Sequence, residues 1–190
     1  QTGLSRRRLN QWLKEQRITP NITSEVTGNE AIIPMVRLGC GIGIVPQLVV
    51  DRSVTVDGSA APGLVISGNL TSRVIEVAGG ATLRINDLTI ADGAGAPQGG
   101  GILNRGRLDL ERVVVRDNTE TSAGPANFEF GGGGIYNAAD AVLNLTDSTV
   151  SGNSSVNQPG GGIYGFFGSA ITITGSTINA AISRIPTIRI

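Results

Sequence analysis

The chain has 190 residues, with 15 basic and 15 acidic side chains and no histidine, so its formal net charge is zero. A neutral chain has no overall field that would draw it to nucleic acid or to an anionic membrane. The single cysteine, Cys40, excludes an internal disulfide, and one thiol without histidine argues against a zinc or copper centre. We therefore expect no cofactor, no metal and no nucleic-acid partner.

The sequence carries no membrane or export signal. No apolar run reaches the roughly 18 residues needed to cross a bilayer, so we expect no membrane span. The N-terminus lacks the basic region, apolar stretch and cleavage site of a signal peptide. Since the first residue is Gln1 rather than methionine, the location of the parent protein stays open at this point.

Residues 1–53 predict a small α/β domain. The apolar positions of residues 4–17 fall on one face of an amphipathic helix. Residues 31–38 follow a capping-box spacing and predict a second helix. Residues 21–26 predict a short strand between the two helices, and residues 43–50 are typical of a buried strand, so the order is α-β-α-β.

The amino-acid sequence of this segment is also similar to that of a known family. It resembles the last part of the effector-binding domain of LysR-type transcriptional regulators, closest to the branch that controls acetohydroxy acid isomeroreductase. The similarity runs through Arg6-Arg7-Arg8-Leu9, Glu25-Val26-Thr27-Gly28-Asn29-Glu30-Ala31-Ile32 and Leu38-Gly39-Cys40-Gly41-Ile42-Gly43-Ile44-Val45-Pro46. The resemblance implies a winged helix-turn-helix and a two-lobed domain, most of which is missing from residues 1–53. We therefore interpret the segment as an α/β cap over the solenoid that follows, with a remnant of a regulator as an alternative.

From Val54 onward the sequence changes to the alternation of short strands, and one pattern recurs four times. Each copy has two apolar-x-apolar pairs, and its first leucine or isoleucine recurs after 25, 35 and 28 residues. The copies are Leu83-Arg84-Ile85 with Leu88-Thr89-Ile90, Leu108-Asp109-Leu110 with Val113-Val114-Val115, Leu143-Asn144-Leu145 with Ser148-Thr149-Val150, and Ile171-Thr172-Ile173 with Ser176-Thr177-Ile178. Because no single copy can bury its own apolar face, the recurrence predicts a stacked array.

The predicted fold is mainly β. Residues 54–180 are expected to form a right-handed parallel β-helix, a single-stranded solenoid in which one chain winds into coils of three β-strands each. The aliphatic residues are expected to form columns, and paired asparagines such as Asn104 and Asn137, or Asn118 and Asn153, suit amide ladders or left-handed turns. The Gly-Gly-Gly-Ile segments resemble the β-helix repeat proteins of bacterial surfaces, including the polymorphic outer-membrane-protein type. Residues 181–190 break the repeat and predict an irregular tail or an edge strand.

Acidic side chains on the outside of such a helix raise the question of carbohydrate cleavage, as in pectin lyase-like folds. A glycosidase needs two carboxylates about 5 to 9.5 Å apart. The candidates are Asp87, Asp109, Asp117 and Asp147, and a lyase would draw on Arg105, Arg107, Arg112 and Arg116. Aspartate in a repeat turn usually caps the turn, so we expect no enzyme and keep a polysaccharide lyase or glycoside hydrolase as an alternative.

Repetition without a convergent polar site favours a non-enzymatic structural or adhesion-type module of a bacterial surface or secreted protein. Its contact with a glycan or a protein on a cell surface is expected at Phe128, Phe130, Phe166 and Phe167. Open terminal coils favour end-to-end self-association. The change of pattern near Ser53 fits a chimeric or truncated product, whether by natural recombination or by artificial fusion.

Overall fold

The computed structural model describes residues 48–95, 97–122, 129–156 and 158–179, together with the backbone of 182–183 and 188–189. The chain divides into two units, residues 1–46 and 47–190, and everything described belongs to the second. The predicted helices, and the cap predicted for residues 1–53 as far as residue 47, therefore lie outside the described residues. Within the described part every regular element is a strand, and no helix there could cross a membrane.

The strands form four parallel sheets, which we call sheets A to D. Sheet A contains β1 (Leu48–Val50), β4 (Ile75–Val77), β8 (Ile102–Asn104), β12 (Ile135–Asn137), β16 (Ile163–Gly165) and β19 (Ile182–Ser183). Sheet B contains β2 (Val54–Asp57), β5 (Thr82–Asn86), β9 (Arg107–Glu111), β13 (Val142–Thr146), β17 (Ala170–Thr174) and β20 (Ile188–Arg189). Sheet C contains β3 (Val65–Ser67), β6 (Thr89–Ala91), β10 (Val114–Arg116), β14 (Thr149–Ser151) and β18 (Thr177–Asn179). Sheet D contains β7 (Ala94–Gly95), β11 (Thr119–Glu120) and β15 (Ser154–Ser155).

The chain visits the sheets in the same order on every circuit, which makes a parallel β-solenoid and confirms the predicted fold class. Coil 1 holds β1 to β3, coil 2 holds β4 to β7, coil 3 holds β8 to β11, coil 4 holds β12 to β15 and coil 5 holds β16 to β18. Because β1 pairs with β4, the solenoid already includes Leu48, before the change of pattern at residue 53.

The predicted aliphatic columns are present. Leu83 pairs with Leu108, Leu108 with Leu143, and Leu143 with Ile171 on successive strands of sheet B. The first three are completely buried and Ile171 is 2% exposed. Burying each such side chain contributes about 1.5–3 kcal/mol, so the columns are the main source of stability for the solenoid.

Sheet D was missed by the sequence reasoning, which gave three strands per coil where coils 2 to 4 have four. Its strands have two residues each and none carries the apolar alternation that identified the others. The inward residues there are Gly95 and Glu120, so no aliphatic signal marks this side of the coil.

The paired asparagines form the amide ladders that the sequence predicts. Asn104 donates from Nδ2 to Asn137 Oδ1 over 2.7 Å, and Asn118 donates from Nδ2 to Asn153 Oδ1 over 2.9 Å. Three of these side chains are fully buried and Asn153 is 8% exposed, so each ladder satisfies polar groups inside the coil.

Left-handed turn positions are a different set of residues, and one column of them lies at the corner between sheets B and C. Asp87, Arg112, Asp147 and Gly175 occupy equivalent places in successive coils, with φ of 56°, 52°, 48° and 59°. At Gly175 the side chain of Asp147 also lies where a Cβ would stand. Glycine is therefore favoured there by both backbone conformation and space.

Candidate functional site

The four predicted contact residues do not form one patch. Phe128 lies outside the described residues. Phe166 is half-buried and stacks on Tyr136 with ring centroids 6.4 Å apart, whereas Phe167 is 82% exposed and Phe130 is half-buried. In the described part of the chain neither Phe130 nor Phe167 stacks on another ring.

Phe166 belongs to an apolar column on the outer face of sheet A. Strand pairing places Leu103, Tyr136 and Tyr164 side by side on strands β8, β12 and β16. The two tyrosine rings are stacked at 5.3 Å, and the exposed fractions of the three residues are 1%, 2% and 0%. Sheet A is thus buried on both faces along these coils, since the neighbouring isoleucines fill the interior.

This outer column was missed by the sequence reasoning although a signal was present. In Gly-Gly-Gly-Ile-Tyr the isoleucine and the tyrosine are consecutive, and two consecutive apolar residues on a strand face opposite sides of the sheet. A strand with apolar residues on both sides is expected to be covered on both faces.

A cleft of about 300 Å³ opens beside the outer column. It is lined by Gln98, Arg105, Glu129, Tyr136, Ala138, Ala139 and Phe166. Burial raises the pKa of the Tyr136 phenol, and the nearby Tyr164 adds to this, while a hydrogen bond with Gln98 opposes it. Tyr136 is therefore a neutral hydroxyl at physiological pH rather than a phenolate.

Arg105 does not offer a free charge to the cleft. It forms an ion pair with Glu76, which also binds Arg73 over 3.0 Å. Arg73 in turn donates to the carbonyls of Gln98 and Gly99 over 2.7 Å and 3.0 Å. Desolvation lowers the pKa of Arg73, but a guanidinium stays protonated over the physiological range. These contacts fix the loop before β8 and give the arginines a structural role.

Three of the four candidate carboxylates, Asp87, Asp109 and Asp117, form ion pairs with arginines. Asp87 accepts two hydrogen bonds from Arg112, at 2.7 Å and 2.8 Å, and these lower the pKa of Asp87. Arg112 stands in the turn column between Asp87 and Asp147, so those two do not face each other across an open groove. A glycosidase acid requires a raised pKa, which is the opposite of what the Asp87 site provides.

Asp109 lies on a different face, the outside of sheet B. Arg107 approaches it to 3.0 Å and Arg84 to 3.5 Å, and Asn144 donates to it over 2.6 Å. The structure therefore does not bring Asp87, Asp109 and Asp147 together. Among the residues described, no three His, Cys, Asp or Glu side chains cluster in a way that could hold a metal ion.

The informative comparison concerns the N-terminal third of the chain. Residues 1–62 match the family model described as LysR substrate binding domain. Over 52 residues the chain is 46% identical to the HTH-type transcriptional activator IlvY of Haemophilus influenzae and 40% identical to the HTH-type transcriptional regulator IlvY of Escherichia coli. The aligned segment is 27% of this chain and 18% of each relative, so the chain spans less than a fifth of their length. No solved structure matches the chain.

These matches support the resemblance to LysR-type regulators. The matched residues overlap the first coil of the solenoid. The matched region ends at residue 62, whereas the described strands begin at Leu48, so β1 and β2 fall inside it.

The adhesion-type function predicted from the repeats is wrong. The similar proteins are transcriptional regulators, and they do not support a surface module that binds glycans or cell-surface proteins. The prediction failed because stacked coils specify a fold, and a fold of this kind serves many unrelated functions. The family information lies in residues 1–62, which the repeats do not include.

Proposed function

We propose that this chain is part of a LysR-type transcriptional regulator, in which residues 1–62 contribute to the substrate-binding domain. The observation that carries the proposal is the match of these residues to that domain, with 46% identity to one IlvY activator over 52 residues. The names of the relatives place them among helix-turn-helix regulators. In this proposal contact with DNA is made outside residues 1–190, which agrees with the zero net charge of the chain.

The described solenoid has a structural role in this proposal. The cleft beside the outer column is lined by an arginine that is already paired with Glu76 and by a tyrosine whose hydroxyl stays neutral, which suits a structural role better than the binding of a small charged effector. Substrate recognition is assigned to the matched segment, and the solenoid continues the chain beyond it.

The experiment uses the complete gene that encodes this chain. A deletion strain is complemented with the wild-type gene, with Gly28→Trp in the matched segment, or with Thr149→Lys on the outer face of the solenoid. We expect deletion to change the transcription of a small set of genes, and we expect the wild type and Thr149→Lys, but not Gly28→Trp, to restore it. Immunoblots establish that all proteins accumulate equally.

Chromatin immunoprecipitation of the same tagged protein gives an independent measurement. The proposal predicts discrete promoter sites for the wild-type protein. A deletion that leaves the transcriptome unchanged, together with no enriched promoter, would refute it.

We also infer that the chain is not an enzyme. The support is the pairing of Asp87 with Arg112 and of Asp109 with Arg107, which commits these carboxylates to ion pairs. The check is an assay of the purified chain on neutral and uronate-containing polysaccharides for new reducing ends or unsaturated products. Cleavage that is lost in Asp87→Asn or Asp109→Asn would overturn the inference.

A further inference from the structure

The aliphatic column of sheet C ends in partly exposed residues on both sides. Ile90, Val115 and Val150, in coils 2 to 4, are completely buried. The column continues to Ile66 in coil 1 and to Ile178 in coil 5, and both of these are only half-buried. Each end of sheet C therefore leaves apolar surface that a further strand would cover.

Among the residues that the structure describes, no strand pairs with the outer side of β18. Thr177 donates its N–H to the carbonyl of Ser148 over 2.8 Å, so Thr177 faces β14. Successive residues of a strand direct their N–H and C=O groups to opposite sides, so Ile178 directs both groups away from β14. In the described residues β18 is the last strand of sheet C, while sheets A and B continue with β19 and β20.

At the β3 edge, the backbone N–H and C=O groups point in the directions that pairing with β18 requires. Thr89 donates to the carbonyl of Leu64 over 2.8 Å, so Leu64 faces β6 and Val65 directs its N–H and C=O away from it. The same link joins every pair of coils in this sheet, as in the bond from Thr149 N–H to the Val113 carbonyl at 2.9 Å. If β3 of a second molecule followed β18, Val65 would donate to the Ser176 carbonyl and accept from Ile178.

The stretch of chain from β14 to β18 carries no charged side chain. Residues 148–179 contain no Asp, Glu, Lys or Arg. Natural proteins protect edge strands with charged side chains, above all lysine, because a charge on the edge opposes the addition of another strand. Thr177 and Asn179, which are exposed on β18, provide no such protection.

We propose that a second copy of this chain adds its first coil to coil 5, with its β3 paired in parallel with β18. The register that links successive coils then continues from one molecule into the next, and Ile66 of the second copy covers Ile178. β19 and β20 lie on β16 and β17, where β1 and β2 of the second copy would bind, so the chain end competes with this contact. The contact is heterologous, and its repetition builds open-ended stacks.

Disulfide trapping of the full chain tests the register. In a Cys40→Ser background, Val65→Cys and Thr177→Cys are purified separately, mixed and mildly oxidised. These positions belong to one outward column, so stacking places them opposite each other, within the Cα separation that a disulfide spans. We expect a cross-linked dimer from the mixture and a ladder from the double variant Val65→Cys/Thr177→Cys. Thr149→Cys is the matched control, because it lies in the same column on an internal strand, and it should give no product with Val65→Cys.

Two further variants report on self-association without cross-linking. Thr177→Lys places a charge on the open edge and should weaken association in sedimentation velocity by about tenfold, the factor that corresponds to 1.4 kcal/mol. Thr149→Lys should leave association unchanged. Removal of residues 180–190 should strengthen association, because β19 and β20 no longer compete. A cross-link of Thr177→Cys to itself, a monomer at all concentrations, or weaker association after the truncation would overturn the proposal.

Discussion

The substitution Leu108→Ala tests the energetic basis of the solenoid. Leu108 is completely buried in sheet B between Leu83 and Leu143. Replacing it with alanine removes most of the buried apolar side chain. The cavity that remains lies between two paired strands, which cannot move together to close it. Substitutions of this kind cost about 2.7–5.0 kcal/mol, and a site closed on both sides belongs in the upper half of that range. We therefore expect a loss of about 4 kcal/mol in the free energy of unfolding.

The measurement is urea unfolding of the full chain, followed by circular dichroism and compared with Leu70→Ala. Leu70 is 67% exposed, so the same chemical change there should alter the free energy of unfolding by less than about 0.5 kcal/mol. The urea dependence should be alike in both variants, so that the midpoints report stability. If Leu108→Ala and Leu70→Ala cost the same, the stacked column does not stabilise the chain and the reasoning fails.

Three further predictions concern the interior ladder, the tight turn and the ion pair at the sheet B to sheet C corner. Asn118→Ala removes the side-chain acceptor of Gly93 N–H, whereas Asn153 Oδ1 still accepts from the backbone N–H of residue 118. One unsatisfied buried group costs about 1–3 kcal/mol, so the free energy of unfolding should fall by about 2 kcal/mol, while the exposed Asn179→Ala should have little effect in the same urea titration. Gly175→Ala should lower the melting temperature, because residue 175 has a φ of 59° and the side chain of Asp147 approaches the position of the new Cβ. The double variant Asp147→Ala/Gly175→Ala should recover part of this loss. Equal melting temperatures for the wild type and Gly175→Ala would contradict the described turn. Hydrogen bonds from Arg112 depress the folded pKa of Asp87, so their contribution to stability is present above the unfolded pKa and is lost as the pH falls through the folded value. A carboxyl titration by NMR should show an Asp87 midpoint below the ordinary range of an aspartate in the wild type and a higher midpoint in Arg112→Gln, and equal midpoints would argue against the pair.

The columns of the solenoid could be predicted because alternation is a direct consequence of strand geometry. Leu108 and Leu110 are separated by one polar residue, and strands pair in register only when such residues share a face. Sheet D could not be predicted in the same way, because Gly95 and Glu120 carry no aliphatic signal and only the closure of the coil brings their strands together.

The outer side of the molecule was less predictable. Tyr136 and Tyr164 follow isoleucines directly, and alternation alone would place them in solvent, whereas both are buried in a stack. Exposed aromatic residues were expected to mark a contact surface, yet Phe166 joins that stack, and of the three predicted contact residues that the structure describes only Phe167 is largely exposed. Function could not follow from the repeats, because the segment that resembles known regulators overlaps only the first coil and precedes the four recurring copies.

The most direct test of the stacked solenoid is the distance between its first and fifth coils. Spin labels at Thr55→Cys and Thr172→Cys, in the Cys40→Ser background, occupy one outward column of sheet B, four strand spacings apart. At about 4.8 Å per spacing the Cα atoms should lie about 19 Å apart. Double electron–electron resonance should therefore give one narrow distribution near that value, allowing for the label arms. A broad distribution centred well beyond that distance would contradict the stacking of the coils.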